Sequence, residues 1–224
     1  MAGLSRLWSE VKYNFANFDL VPQLDWDALY LQTLPKVLAA PDTLAYYREL
    51  TRFITQLQDG HTSVYMPDEL MEQVYARPAM RVRMFEGRVL VTQVTAGAPG
   101  LQGVQEGDEI VGINGQGVQA FAQAHVDPYV SASTPQDRRE RTYGYELLMG
   151  QAGQTLTLDL RRADGSAAQA QVTRLTSDVN ATQMTLMVGM RILVRAPVML
   201  VTALVLAITI SLRLSRVFLV VIPL

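Results

Sequence analysis

The chain has 224 residues, room for one large domain or two small ones. It holds no cysteine and only two histidines, His61 and His125, which excludes disulfide scaffolds, thiolate metal sites, cysteine nucleophiles and histidine-rich metal clusters. Nineteen basic side chains against 21 acidic ones, a net charge of -2, give no reason to expect nucleic acid as a partner. That average hides an asymmetry. Residues 1–174 carry 15 basic and 20 acidic side chains, whereas residues 175–224 carry Arg191, Arg195, Arg213 and Arg216 against Asp178 alone. The first residues, with Arg6, Glu10 and Lys12, contain no apolar run of signal-peptide length and are not expected to direct export.

Leu4, Leu7, Trp8, Val11, Phe15 and Phe18 recur at three- and four-residue steps and predict an amphipathic helix. Asp25 precedes a second helical stretch with Leu29, Leu34, Val37 and Leu38 apolar, and Pro35 is expected to bend or divide it. Asp42 or Thr43 caps a third, in which Leu44, Tyr47, Leu50, Ile54 and Leu57 form one stripe and Gly60 supplies the stop. Residues 1–60 therefore read as a three-helix unit.

From Arg77 the period changes to two. Met80, Val82 and Met84 alternate with Arg81 and Arg83, Gly87 interrupts, and Val89 to Val94 resumes, which predicts a hairpin. A glycine-rich loop (Gly97, Gly100, Gly103) leads to Gly107-Asp108-Glu109-Ile110-Val111, a strand closing in the Asn114-Gly115 turn. Those glycines do not make a phosphate loop, because no Lys-Ser/Thr pair comes after them, so no nucleotide is expected. Thr134 as cap and Pro135 in the first turn predict a helix that stops at Gly150. Thr155 to Leu160 and Ala168 to Val172 read as strands joined through Asp164-Gly165.

Residues 196–212 are 17 consecutive uncharged residues between Arg195 and Arg213. A helix of that length spans roughly 25 Å, slightly short of the ~30 Å hydrocarbon core, and the flanking arginines can reach the headgroups. The expectation is a membrane-spanning helix with the lipid bilayer as a partner; the alternative is a buried core helix.

Two resemblances rest on particular residues. Leu7-Trp8, Val11 to Phe15, Asp25 to Tyr30, Leu34-Pro35 and Asp59-Gly60-His61-Thr62 resemble the N-terminal cap of S41-family serine peptidases, the tail-specific and tricorn-like proteases. Gly107 to Val111 with Ile113-Asn114-Gly115 is similar to the strand-turn of the PDZ domain those peptidases carry, and Ser131 to Pro135 with Arg141 to Gly144 resembles a family insertion. Thr173 to Val179, with Arg191 to Pro197 after it, resembles instead the membrane domain of bacterial ABC exporters. The expected architecture is α+β in three parts: a helical cap over 1–76, a PDZ-like domain over 77–173 and an exporter-like transmembrane fragment over 174–224. The abrupt change at 173–175 is also what two joined reading frames would give.

His61 is the sharpest single residue, since histidine exchanges protons near neutral pH. Its bland reading is a residue that happens to come after a helix stop; the tricorn-like resemblance implies the general base that activates a serine. A base needs a nucleophile. No serine sits in the Gly-flanked strand-to-helix turn that presents a reactive hydroxyl, and Ser131 and Ser133 read as turn and cap residues. The expectation is thus a truncated peptidase that keeps substrate recognition and lacks the serine domain, inactive as it stands. Alternatives are a membrane-anchored peptide-binding module or a fragment of a transporter permease.

The PDZ resemblance implies a peptide or protein C-terminus as partner, with the binding residues not assignable. Arg77, Arg81, Arg83 and Arg88 could assist an acidic terminus or simply form the solvated face of a strand. His125 reads as a loop histidine; no metal site and no cofactor are expected. By resemblance the peptidase-like part would be exported or periplasmic, and the chain would be held at a membrane.

Overall fold

The computed structural model describes residues 2–175, together with Met199, Thr202 and Thr209. The chain divides into two units, 1–176 and 177–224.

Three helices form where the periodicity placed them: α1 (Ala2–Asn14), α2 (Trp26–Leu38) and α3 (Thr43–Thr55). Their stripes close over Leu4, Val11, Trp26, Val37, Leu50, Phe53, Ile54 and Leu57. At the centre the Trp26 and Phe53 rings lie 4.2 Å apart, and the Trp26 indole N–H donates to the Trp8 carbonyl at 3.0 Å. Asp25 and Asp42 are the N-caps, accepting from the backbone N–H groups of Ala28 and Ala45 at 2.9 and 2.7 Å, donors that the first helical turn leaves without a partner. Pro35 does not divide α2, which runs through it to Leu38. A short α4 (Asp68–Val74) comes next; it buries only Leu70, too little apolar pattern for the sequence to announce it.

The second half of the unit is a curled antiparallel sheet: β1 (Met80–Phe85), β2 (Arg88–Val94), β3 (Leu101–Gln102), β4 (Glu109–Ile113), β5 (Gln116–Gly117), β6 (Thr155–Arg161) and β7 (Ala167–Thr173), in the order β1-β2-β4-β6-β7-β3 with β5 on β4. Alternation holds where it was read: in β6, Leu156, Leu158 and Leu160 are buried while the residues between them are not. Helix α5 (Val118–His125) buries Val118, Phe121 and Ala122, and His125 is its last residue rather than part of a loop. The helix expected from Pro135 to Gly150 starts as α6 (Pro135–Arg139), capped by Thr134, and continues as a π-helical stretch (Glu140–Glu146).

Two buried carboxylates stabilise the strand-turn motif. Asp108 accepts from the Arg162 guanidinium at 2.5 Å and from the Gln105 N–H at 2.7 Å, while Glu109 is paired with Arg88 at 2.8 Å and Arg161 at 3.3 Å. Both of these buried carboxylates thus have an oppositely charged partner.

The sheet also claims residues expected to open the exporter-like part. Thr173 pairs with Thr155 in the β6–β7 ladder, and Leu175 bridges to Arg77. Arg174 is buried and donates to the Leu148 carbonyl and to Gln154 Oε1, both at 2.9 Å. The expected span 196–212 lies outside the described residues except for Met199, Thr202 and Thr209, each helical and exposed. Among the described residues no helix is long and apolar enough to cross a membrane.

Candidate functional site

The third helix was expected to stop at Gly60, and it stops earlier. Helix α3 ends at Thr55, and the left-handed residue that turns the chain is Gln58, at φ 50°. Gly60 has another reason to be glycine: a Cβ there would stand 3.0 Å from Asp137 Oδ2 and 3.3 Å from Arg141 Nη2. The loop is pressed against the sheet domain.

Asp59 organises the loop from Gly60 to Thr62. Its carboxylate accepts from the Thr62 hydroxyl and, at 3.5 Å, from the Ser133 hydroxyl, with the His61 backbone N–H turned toward it. These donors, Thr62 first, hold the carboxyl below its ordinary range against a smaller opposing effect of burial. The Asp59 Oδ1 oxygen lies 3.8 Å from His61 Nδ1, and the imidazole is 97% exposed. Across the seam the Gly60 N–H donates to Ser133 Oγ at 2.8 Å, and Arg141 Nη2 donates to the Gly60 carbonyl at 3.2 Å. Arg141 is itself fixed by Asp137, whose two oxygens accept from Nε at 2.9 Å. Ser133 is therefore neither turn filler nor cap, since Thr134 is the cap. The seam continues at α3, where Arg52 donates to the Tyr129 hydroxyl at 2.7 Å and stacks 4.9 Å from its ring, and Thr55 donates to the Pro128 carbonyl at 3.3 Å.

A second feature lies at the sheet edge. Among the described residues β1 pairs with β2 alone. The two-residue turn at Glu86-Gly87, with φ 49° and 80°, makes Phe85–Arg88 a hydrogen-bonded pair, so Val82 and Met84 fall in the alternate pairs. The backbone of Val91, partner of Val82, bonds to Asp108 and Gly107 on its other side, which agrees with that register. Val82 and Met84 thus turn their N–H and C=O groups to the open edge. Beside it runs the π-helical stretch, tied to β1 by the Arg83–Glu140 ion pair at 3.1 Å. Of the four clustered arginines, Arg88 is committed to Glu109 and Arg83 to Glu140, while Arg81 is exposed.

Glu146, at the end of the π-helical stretch, is partly buried, and its carboxyl has no hydrogen-bond partner among the described residues. Burial pushes it up from the usual carboxylate range to about 7, and Arg141 offsets this only slightly. Tyr75 is raised too, by burial first and by the Glu146 charge second. His125 stacks on Phe121 at 4.7 Å. Among the described residues no three His, Asp or Glu side chains converge as metal ligands would.

Residues 84–164 match the family model described as the Bacteroidetes S41 peptidase N-terminal domain. The match covers most of the sheet domain and leaves the Asp59 to Thr62 loop outside it. No curated protein matches the sequence. Among solved structures, mature CPAF complexed with lactacystin is similar at 17% identity and a TM-score of 0.58, over 77% of this chain and 34% of that one. A serine-to-alanine mutant of CPAF aligns at 18% identity and 0.56, over 77% and 33%. The PDZ domain of a carboxy-terminal protease from Vibrio cholerae, in complex with peptide, aligns at 16% identity and only 0.28, over 46% and 95%. The two CPAF structures share the fold, and the chain spans about a third of their length. None of these findings bears on the exporter-like reading of residues 173–224.

Proposed function

We propose that this chain is the substrate-handling part of an S41-type peptidase. It takes the C-terminal end of an extended peptide as an added strand on the open edge of β1, and it presents His61 as proton acceptor to a serine hydroxyl supplied from outside the described residues. The observation that carries the reading is the unpaired edge. Val82 and Met84 offer a donor and an acceptor each, and main-chain bonds of that kind give affinity without demanding a particular side chain. His61 adds the second element, with its Nδ1 side toward a carboxylate and the rest of the ring in solvent. No serine of the sequence sits in a Gly-flanked strand-to-helix turn, so a fluorophosphonate probe is expected to leave the chain unlabelled. Stoichiometric labelling of any serine would refute the assignment of the nucleophile elsewhere. The uncharged run 196–212 would hold the module at a bilayer, which membrane fractionation with and without residues 175–224 tests.

Binding is tested by fluorescence anisotropy of the full chain against a pool of labelled decapeptides, prepared with free and with amidated C-termini. Saturable binding of the free-carboxylate pool is expected, lost on amidation. Met84→Pro deletes one outward N–H and is expected to weaken it about tenfold, the equivalent of one hydrogen bond. No binding by either pool, or equal binding in Met84→Pro, sinks the proposal.

A further inference from the structure

We infer that Ser133 and Arg141, both in the sheet domain, are positioning residues for His61. The inference rests on His61 acting as a proton acceptor. For that role the free lone pair must face the substrate, so the ring proton must stay on the nitrogen turned toward Asp59. An imidazole in water has no such bias built in; a carboxylate beside Nδ1 supplies it by holding the proton there. The Asp59 carboxylate stands 3.8 Å from Nδ1, and the question becomes what holds Asp59 and the adjoining peptide in place.

The helical domain does little of this. Helix α3 has ended four residues earlier, and Gln58 already turns the chain away. The sheet domain grips the loop on both faces of Gly60. Ser133 Oγ accepts from the Gly60 N–H at 2.8 Å and donates to Asp59 Oδ1 at 3.5 Å, the oxygen that faces the imidazole. Arg141 takes the Gly60 carbonyl at 3.2 Å while Asp137 locks its guanidinium from behind. A Cβ at Gly60 would crowd Asp137 and Arg141, at 3.0 and 3.3 Å, and require them to shift by a few tenths of an ångström. With both grips removed, Asp59 keeps its bond to the Thr62 hydroxyl, but the Gly60 peptide between Asp59 and His61 loses its fixed place, so the spacing of carboxylate and imidazole is no longer set.

The readout is the tautomer of the neutral imidazole, monitored by long-range 1H–15N NMR on the full chain. His125, stacked on Phe121 at the end of α5, is the internal reference, and with only two histidines the spectrum is assigned by a single His125→Gln variant. In the unaltered chain His61 is expected to be mainly the Nδ1–H form. Ser133→Ala and Arg141→Ala are each expected to lower that share at least twofold, toward the value of His125, while Ser133→Thr keeps it. A purely structural role would lower the melting temperature and leave the tautomer share alone. If Arg141→Ala does not fold, the Ser133→Ala and Ser133→Thr pair decides. A share unmoved by the variants, or equal to that of His125 from the outset, overturns the inference. The measurement needs no substrate or nucleophile, so it fails separately from the base reading, whose failure is fluorophosphonate labelling of a serine supplied from outside this chain that is as fast with His61→Gln as with the unaltered chain.

Discussion

Replacing Glu146 by glutamine should stabilise the protein, and only at neutral and alkaline pH. In the fold the carboxyl titrates near 7 instead of the ordinary 4.5, chiefly because burial opposes its charge, with Arg141 too weakly coupled to compensate. A carboxyl whose folded value is raised is favoured protonated. Below about pH 4.5 it is neutral in folded and unfolded chains alike and contributes no penalty. Between 4.5 and 7 the unfolded chain ionises first, so folding becomes less favourable with every unit, and above 7 the penalty is complete. A displacement of about 2.5 units corresponds to about 3 kcal/mol, and roughly 2 kcal/mol is expected once solvent at the exposed part of the side chain is allowed for. Glutamine keeps the shape and cannot ionise. Urea unfolding of both chains at pH 4.5, 6, 7 and 8 should show equal stabilities at the acid end, with the variant about 2 kcal/mol ahead at pH 8. A difference that stays flat with pH, or that favours the parent at pH 8, refutes the reasoning. The neighbouring Tyr75 should respond as well, since Glu146 contributes to its raised value: its phenol should titrate lower in the variant, visible in ultraviolet difference spectra.

Two further perturbations probe the two cores. Arg174→Met strands the Leu148 carbonyl and Gln154 Oε1 and should cost about 2–4 kcal/mol in urea unfolding; an effect below 1 kcal/mol would mean that the buried guanidinium contributes little beyond its own desolvation. Phe53→Ala removes the ring packed 4.2 Å from Trp26 and should cost about 3–5 kcal/mol, with a change in Trp fluorescence that a mutation in the sheet core would not produce.

Period and capping chemistry made most of the fold legible. Thr134 was expected as a cap and is one, Asp42 is the cap of the two candidates Asp42 and Thr43, and the leucines of β6 alternate as read, while Asp25, expected only to precede α2, proves to cap it. The failures share a cause. Gly60 was assigned a local role, helix stopping, when its reason is a tertiary contact 77 to 81 positions away in sequence, with Asp137 and Arg141. Ser133 was likewise given a local role. Arg174 and Leu175 were grouped with the residues C-terminal to them because local composition changes there, whereas the pairing of Leu175 with Arg77 depends on chain 98 residues earlier. Helix α4 escaped notice because seven residues with one buried side chain carry almost no periodic signal. The motif Asp59 to Thr62 showed that something was organised, and the Asp59–Thr62 bond is local enough to infer from spacing. What no spacing revealed is that another domain finishes the arrangement.

That dependence has an energetic consequence. The three short bonds across the seam, Gly60 to Ser133, Arg141 to Gly60 and Arg52 to Tyr129, contribute about 1 kcal/mol each at most, with the longer Asp59 and Thr55 contacts adding less, so together they amount to about 2–3 kcal/mol. All join α3 and its trailing loop to one stretch of the sheet domain, residues 128–141. Opening the seam would therefore free the Gly60 peptide between Asp59 and His61 while leaving both hydrophobic cores closed, because neither core shares a buried residue with the other. The order of the imidazole loop is set by the contact between the domains rather than by the stability of either one. Amide exchange at Gly60 and His61 should accordingly be faster than in α3 or β6, and should quicken in Arg52→Ala, a residue that touches neither side chain.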